Sequence, residues 1–581
     1  MAEKKSSKVP QNPLQRIALC MSGGGYRAAT FQLGMMSYLH SKQFDNGTLL
    51  QKIKAISTVS GGTIIGVYYA AMVQEKMPFE EIYSNFISWI TKTDLVKASL
   101  EKISPNGTWT YPYKRKNIIN AFAELYDETL LDGRTMSVFD DLNKSHLEYV
   151  CFNGTEFLRG YRFRFHAGKE VRTFGSNDIR ISNKMHSDFR LGDIMAASSG
   201  FSGGFEPISI PDDFMPADSD THKNLTEKLK TKGGPVGIMD GGIHDNQGVS
   251  SIETYQEYKK VKDFDLILFS DVSSPYLARF DFTETKSTDM GEKTLNDFHK
   301  TYKNGKRWVI YVHIVVILLG LFFAVISDFE NTTLTGIGYA IMGLGIGGLL
   351  VLRVIQRKAL KQLNNLQEYF KKKVPPYFLE RFGAFDYKNS KLKDLEVLAL
   401  DRFNSLKMLL PDVFLKQVRR LHYNRVFRDE NYTYRRSACL IKELTEVDFG
   451  KKTYENKDPR KQSDYVFMQK HNLGFEGGSQ EEVIGKKMLE YTTSAASFGT
   501  TLWFTDNDQL DHKLKALLIS GQVSCCQDIL IYLSRIIYTE GNGFNELDDA
   551  IKKDISELHQ SMMEDWNRFK KEPEYLYNSL K

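Results

Sequence analysis

Cysteine is scarce and unpatterned in this chain. The five that occur, Cys20, Cys151, Cys439, Cys525 and Cys526, are odd in number and share no metal-ligand spacing. That argues against a disulfide framework and a cysteine-built zinc site, and it fits a reducing compartment. An excess of one charge is also missing: 77 Lys and Arg stand against 72 Asp and Glu, so no global field marks nucleic acid as a partner. There is no internal repeat and no long low-complexity run. The stretch MAEKKSSKVPQNPLQR lacks the apolar core of a signal peptide, so sequons such as Asn46-Gly-Thr read as chance matches. A chain of 581 residues buries a large core and is expected to hold more than one structural unit.

What the chain does have is two long apolar runs near its middle. WVIYVHIVVILLGLFFAVI (308–326) and LTGIGYAIMGLGIGGLLVLRVI (334–355) are separated by the short loop SDFENTT. Each is long enough for a hydrocarbon core of about 30 Å. Soluble helices seldom stay apolar on every face for so long, so a buried hairpin is the weaker reading. The expectation is a transmembrane hairpin over 300–360, with helices at about 308–327 and 334–355. His313 falls near one end of its helix and reads as interfacial. Gly336, Ala340, Gly343 and Gly347 form a small-residue stripe that allows close approach, either to the hairpin partner or to a second copy in a homo-oligomer. Lys300, Lys303, Lys306 and Arg307 precede the pair and Arg353, Arg357, Lys358 and Lys361 follow it, whereas the loop holds Asp328 and Glu330 and no basic residue. The positive-inside rule then puts both flanks in the cytoplasm of a multi-pass inner-membrane protein.

Three elements ahead of the hairpin carry candidate chemistry. KAISTVSGGTIIG (54–66) reads as a strand, a serine, two glycines and an apolar helix start. That is the layout of a nucleophile elbow, in which a tight strand-to-helix turn lifts the serine Oγ above the sheet. The usual G-x-S-x-G lacks its first glycine here, Thr58 standing in its place, and an ordinary turn serine satisfies the same letters. RIALCMSGGGYRAATFQLGMMSYL (16–39) is a strand, a glycine turn and an amphipathic helix. Unshielded N–H groups at a helix start favour a phosphate or an oxyanion. Gly23-x-Gly25-x-x-Ala28 also meets the dinucleotide fingerprint, but Asp45, at the required distance, follows a loop rather than a strand. In GGPVGIMDGGIHDNQGVSSIETY (233–255) an apolar strand delivers Asp240 onto a Gly-Gly turn, where open α/β sheets place their sites. His244 and Asp245 read as residues of that turn.

The order G-G-G-x-R turn, serine elbow, D-G-G resembles the patatin-like phospholipases, and more particularly bacterial, membrane-anchored members. FRLGDIMAASSGFSGGFEPI (189–208) is similar to that family's Ala-Ser-Ser helix and glycine loop, with Ser202 where proline is frequent. DFDLILFSDVSSP (263–275) is similar to the strand after the aspartate, and SAASFGTTLWFTD with LKALLISGQVSCCQDILIYL to the tail of large members. The resemblance covers 15–275 well and about 490–540 loosely. It implies a three-layer α/β/α hydrolase fold for a catalytic domain over 15–290. A polar tail 1–14 precedes it, and the hairpin and a mainly helical cytoplasmic region 361–581, which the resemblance does not cover between 276 and about 490, follow. The part at about 490–540 is expected to pack on the catalytic domain. It also implies a Ser60–Asp240 dyad, an oxyanion hole at Gly23, Gly24 and Gly25, and turns supported by Gly61, Gly62, Gly241 and Gly242. Arg27 completes the first motif by fixing the loop or meeting a phosphate, and no cofactor or metal is needed. The implied activity is a membrane-tethered serine acyl hydrolase acting on phospholipids or lysophospholipids of the bilayer, with a regulated membrane-degrading effector as an elaboration. The alternative is an inactive scaffold or sensor on the same fold.

Overall fold

Strands β1 (Ile17–Met21), β2 (Ile53–Val59) and β9 (Leu266–Asp271) are apolar on both sides of the pleat, as strands covered by helices on both faces must be. They lie parallel in the order β9-β1-β2. β3 (Tyr149–Glu156) adds in parallel beside β2, and β10 (Arg436–Leu440) in parallel beside β9. Beyond β3 the sheet turns antiparallel through β4 (Arg162–Gly168), β5 (Thr173–Gly175) and β6 (Arg180–Ser182). β7 (Ile208–Ile210) pairs with β8 (Val236–Asp240), and β8 pairs antiparallel with the end of β3. In this computed structural model the described residues are 8–201, 204–259, 261–273, 280–282, 289, 292–326, 335–351, 353–354, 357, 389–445 and 464–580.

Alternation along β1 separates two cores. Ile17, Leu19 and Met21 face helices α1 (Gly25–Ser41) and α2 (Gly61–Gln74), whereas Ala18 and Cys20 face the helix Val249–Lys259 and Val426 of the helix Leu415–Arg428. The result is a central mixed sheet with helices on both faces. The chain divides into two compact units, one of residues 1–277 with 411–581 and one of residues 278–410. The C-terminal part from 411 therefore belongs to the sheet unit and supplies its edge strand, a strand the reading of 361–581 as mainly helical did not include. RSACL is short and mixed in polarity, so no apolar run betrays it.

One helix among the described residues is long and apolar enough to cross a membrane by length and composition alone, Lys513–Tyr538, and its most apolar stretch is wholly buried. It packs along α1. Cβ atoms at Gly34 and Gly521 would overlap the backbone carbonyls of Leu518 and Phe31, so the two helices touch backbone to backbone. Gln522 Nε2 donates to Ser37 Oγ across the same seam at 2.9 Å.

The second unit holds the helix Leu295–Ile326 and a helix over residues 335–351. The first starts well before position 308, because LNDFHKTYKNGKR, too polar to read as apolar, continues the same helix. Gly345 faces Ile317 and Gly348 receives the His313 imidazole, so the pair is in contact. His313 Nδ1 donates to the Val309 carbonyl at 2.7 Å. Among the described residues nothing lies within 4 Å of a Cβ at Gly336, Gly343 or Gly347, so that stripe is not the one the pair packs with. Trp308, Tyr311, Leu318, Phe322 and Leu344 stay exposed, Leu344 at 74%. The loop 327–334, the expected helix end at 355 and residues 358–388 lie outside the described residues.

Candidate active site

The register of β3 brings two chain ends together. β2 runs parallel to β3 and stops at Val59, opposite Asn153. β8 runs antiparallel to β3 and stops at Asp240, opposite Gly154, the next residue along. Both strands therefore end at one point of the same sheet, with Ser60 and Asp240 at the junction. The Ser60 side chain stands close enough to Asp240 to favour its charged form, and both residues are buried. Burial pushes the Asp240 carboxyl up to about 6, opposed by the hydrogen bond from the Gly242 N–H (2.7 Å to Oδ1) and by the nearby Ser60 side chain. The Thr155 hydroxyl donates to the Asp240 carbonyl at 2.9 Å, and the Asp240 N–H donates to Gly200 O at 3.2 Å.

Ser60 has φ 52 and ψ −124, a left-handed conformation that a non-glycine residue holds only when its surroundings impose it. What imposes it is a chain of hydroxyls beneath the turn. The Ser60 N–H donates to Ser198 Oγ at 3.2 Å, and Ser198 donates to Asn153 O at 2.7 Å. With its single proton spent there, Ser198 accepts from Thr63 Oγ1 (2.7 Å), which in turn accepts from Thr58 Oγ1 (2.9 Å). Thr58, where the usual elbow has glycine, belongs to β2 and is fully buried. Its methyl occupies the space that a side chain at Gly66 would need. The missing glycine of the motif is thus matched by one on α2.

The glycine turn closes against this elbow. A Cβ at Gly61 would overlap the backbone N and O of Gly25, so the two turns meet backbone to backbone. Gly24 (φ 152) and Gly25 (φ 57) take conformations that side chains disfavour. Gly62 abuts the Met21 and Ser22 carbonyls, and Gly241 that of Asn153, which bars larger residues at both. The Gly23 N–H points elsewhere and donates to Asn246 O at 3.3 Å. Asn246 Oδ1 lies beside both Gly23 and Gly242 and so ties the glycine turn to the Asp240 loop. Arg27 is mostly buried, donates from Nη1 to Phe498 O at 2.8 Å, and is lowered by burial to about 10, which leaves it a cation at neutral pH.

The loop after Asp240 is fixed from below. Asp245 accepts from the N–H groups of Gln247, Gly248 and Ser250 and from the Ser250 hydroxyl. His244 is held near 4 by burial and hence neutral, and its carbonyl accepts from His422 Nε2 at 2.9 Å. Arg419 and Tyr423, one and two turns along the same helix Leu415–Arg428, bind Asp271 at 2.6 and 3.0 Å. Ser198, Asn153 and Asn246 escaped the sequence reading. Ser198 had a cue in the Ala-Ser-Ser helix end, but nothing local links it to a serine 138 positions away.

Residues 19–251 match the family model described as patatin-like phospholipase. No curated protein matches the chain. The matched span runs from β1 to the helix that follows the Asp240 loop, enclosing the glycine turn, the elbow and the aspartate. Over these residues the chain is a patatin-like phospholipase domain.

Proposed function

We propose that the protein is a membrane-tethered acyl hydrolase that cleaves fatty-acyl esters of phospholipids or lysophospholipids with Ser60 and Asp240 as its dyad. The observation that carries this is the meeting, at one point of β3, of a strained, buried serine and a buried carboxyl raised to about 6. In this reading Ser60 Oγ attacks the ester carbonyl while Asp240 takes its proton. The N–H groups of Gly24 and Gly25 meet the oxyanion, since that of Gly23 is spent on Asn246. Asp240 returns the proton to the departing alcohol, then deprotonates the water that frees the fatty acid. The direct test is fatty-acid release from mixed phospholipid vesicles by the detergent-solubilised protein; no release from any phospholipid or lysophospholipid would reject the reading.

Because a base must be unprotonated to act, kcat/KM for ester hydrolysis is expected to rise with pH through an apparent pKa near 6 and then level off. A profile flat down to pH 4 would remove Asp240 as the base.

Tethering is supported by the apolar helix pair, whose large outward side chains no soluble surface would leave open. Its basic flanks and acidic loop favour a cytoplasmic side for both soluble parts, and the open Gly336–Gly343–Gly347 stripe suits the packing of a second copy. A cysteine introduced at Asn331 is expected to react with an impermeant thiol reagent added outside the cell, and one at Asn304 to stay unlabelled. The reverse pattern would turn the topology inside out.

A further inference from the structure

The glycine turn has a second support that lies outside the matched family region. Residues Phe498–Phe504 cross the start of α1. The Thr501 carbonyl accepts the Tyr26 N–H at 2.8 Å, and the Phe498 carbonyl accepts Arg27 Nη1 at 2.8 Å. Gly25 has no room for a Cβ because the Thr501 carbonyl oxygen fills it. Phe504 stacks on Phe498 with ring centres 4.9 Å apart and lies 5.9 Å from the Tyr26 ring. Both ends of the strap are fixed. Lys513 binds Ser494 and Ser497 in the helix before it, and Thr505 caps the short helix after it.

Glycines at 23 to 25 give the turn its shape but not its rigidity, since a glycine visits many backbone conformations at little cost. Oxyanion capture requires donors fixed before the reaction begins. Fastening Tyr26 and Arg27 on the helix side of the turn restricts the peptides of Gly24 and Gly25, whose other side is pressed against Gly61. We infer that the strap Phe498–Phe504 positions the glycine turn for oxyanion capture, with Arg27 as the positioning residue that fastens it. The catalytic domain is then incomplete without a segment that the sequence supplies far downstream. This rests on the acyl-hydrolase reading above.

The test uses the full-length protein in detergent with p-nitrophenyl butyrate, a soluble ester whose turnover depends on Ser60 in that reading. Arg27→Met is expected to lower kcat by ~10–100-fold with KM changed less than about threefold, because a donor misplaced by about 1 Å forfeits transition-state binding and leaves substrate binding alone. Arg27→Lys, which keeps a donor for the Phe498 carbonyl, is expected to recover at least about tenfold of that loss. Phe504→Ala, which loosens the strap without touching its attachments, is expected to lower kcat in the same sense and to speed hydrogen exchange at the Tyr26 amide. The inference is overturned if Arg27→Met keeps kcat within about twofold, if Lys and Met lose equally, or if Phe504→Ala changes neither kcat nor Tyr26 exchange. A wild-type protein that fails to turn over the ester at all would sink the acyl-hydrolase reading first, and this inference with it.

Discussion

Ser60→Ala is expected to lower ester hydrolysis by at least ~10³-fold, and Asp240→Asn by a similar factor, while both proteins stay folded. The reason is the geometry at the end of β3. Ser60 meets a carboxyl from the opposing strand rather than an imidazole, so no other base within the turn replaces Asp240. His244 is the nearest rival by sequence, but its backbone is bound to His422 and burial lowers its ring to about 4, which makes it a weaker base than Asp240. The two substitutions are nearly isosteric and leave the hydroxyl chain through Ser198 in place, so thermal midpoints should move little. A serine-directed fluorophosphonate should label the wild type and spare Ser60→Ala. Near-normal turnover by either variant would remove that residue from the dyad.

The next largest effect is expected from the smallest change, Gly61→Ala. A methyl there meets the backbone N and O of Gly25, and neither atom can swing aside as a side chain would. The elbow and the glycine turn must separate, which pulls the oxyanion donors away from Ser60. Displacement by about 1 Å costs ~10²-fold in rate, and a loss of kcat of that size or more is expected. Overpacking should add ~1–3 kcal/mol of destabilisation, readable as a lower denaturant midpoint. A control is Gly160→Ala, on a loop where a Cβ would have nothing within 4 Å; its left-handed backbone costs some stability, but kcat should hold. Equal activity losses at the two positions would mean that the Gly61–Gly25 contact has no special bearing on chemistry.

The legible parts of the sequence were those whose cause is local. A strand, a serine and two glycines lie within a few positions of one another, and so do a strand, an aspartate and two glycines; periodicity and turn chemistry expose both. The illegible parts depend on partners far along the chain. Ser198 reaches Ser60 only because β3 sets the helix Leu191–Ser199 beneath the elbow. The strand Arg436–Leu440 is visible only once Leu266–Asp271 is there to pair with it. The Thr58–Gly66 exchange had a signal, a bulky residue and a glycine eight positions apart, but its meaning needs α2 folded back over β2. Among the small-residue stripes, spacing identified Gly336, Gly343 and Gly347, while contact with the first apolar helix falls to Gly345 and Gly348 on another side of the same helix. Sequence spacing shows that helices are able to approach closely; it does not say which face will.

The pairing of α1 with Lys513–Tyr538 sets a clock on activity. Ser37 and Gln522, joined across that seam, are 485 residues apart. At ~5–20 residues per second of synthesis, α1 waits about 25–100 s for the helix that buries it. The strap over the glycine turn emerges only shortly before that helix, and the edge strand earlier still, but both come after the two apolar runs. A growing chain therefore carries Ser60 and Asp240 long before it carries the means to hold them in working order, and by then its apolar helices have already left the ribosome. On the proposed function, a membrane-tethered lipid hydrolase would in this way reach its bilayer before it is able to damage one.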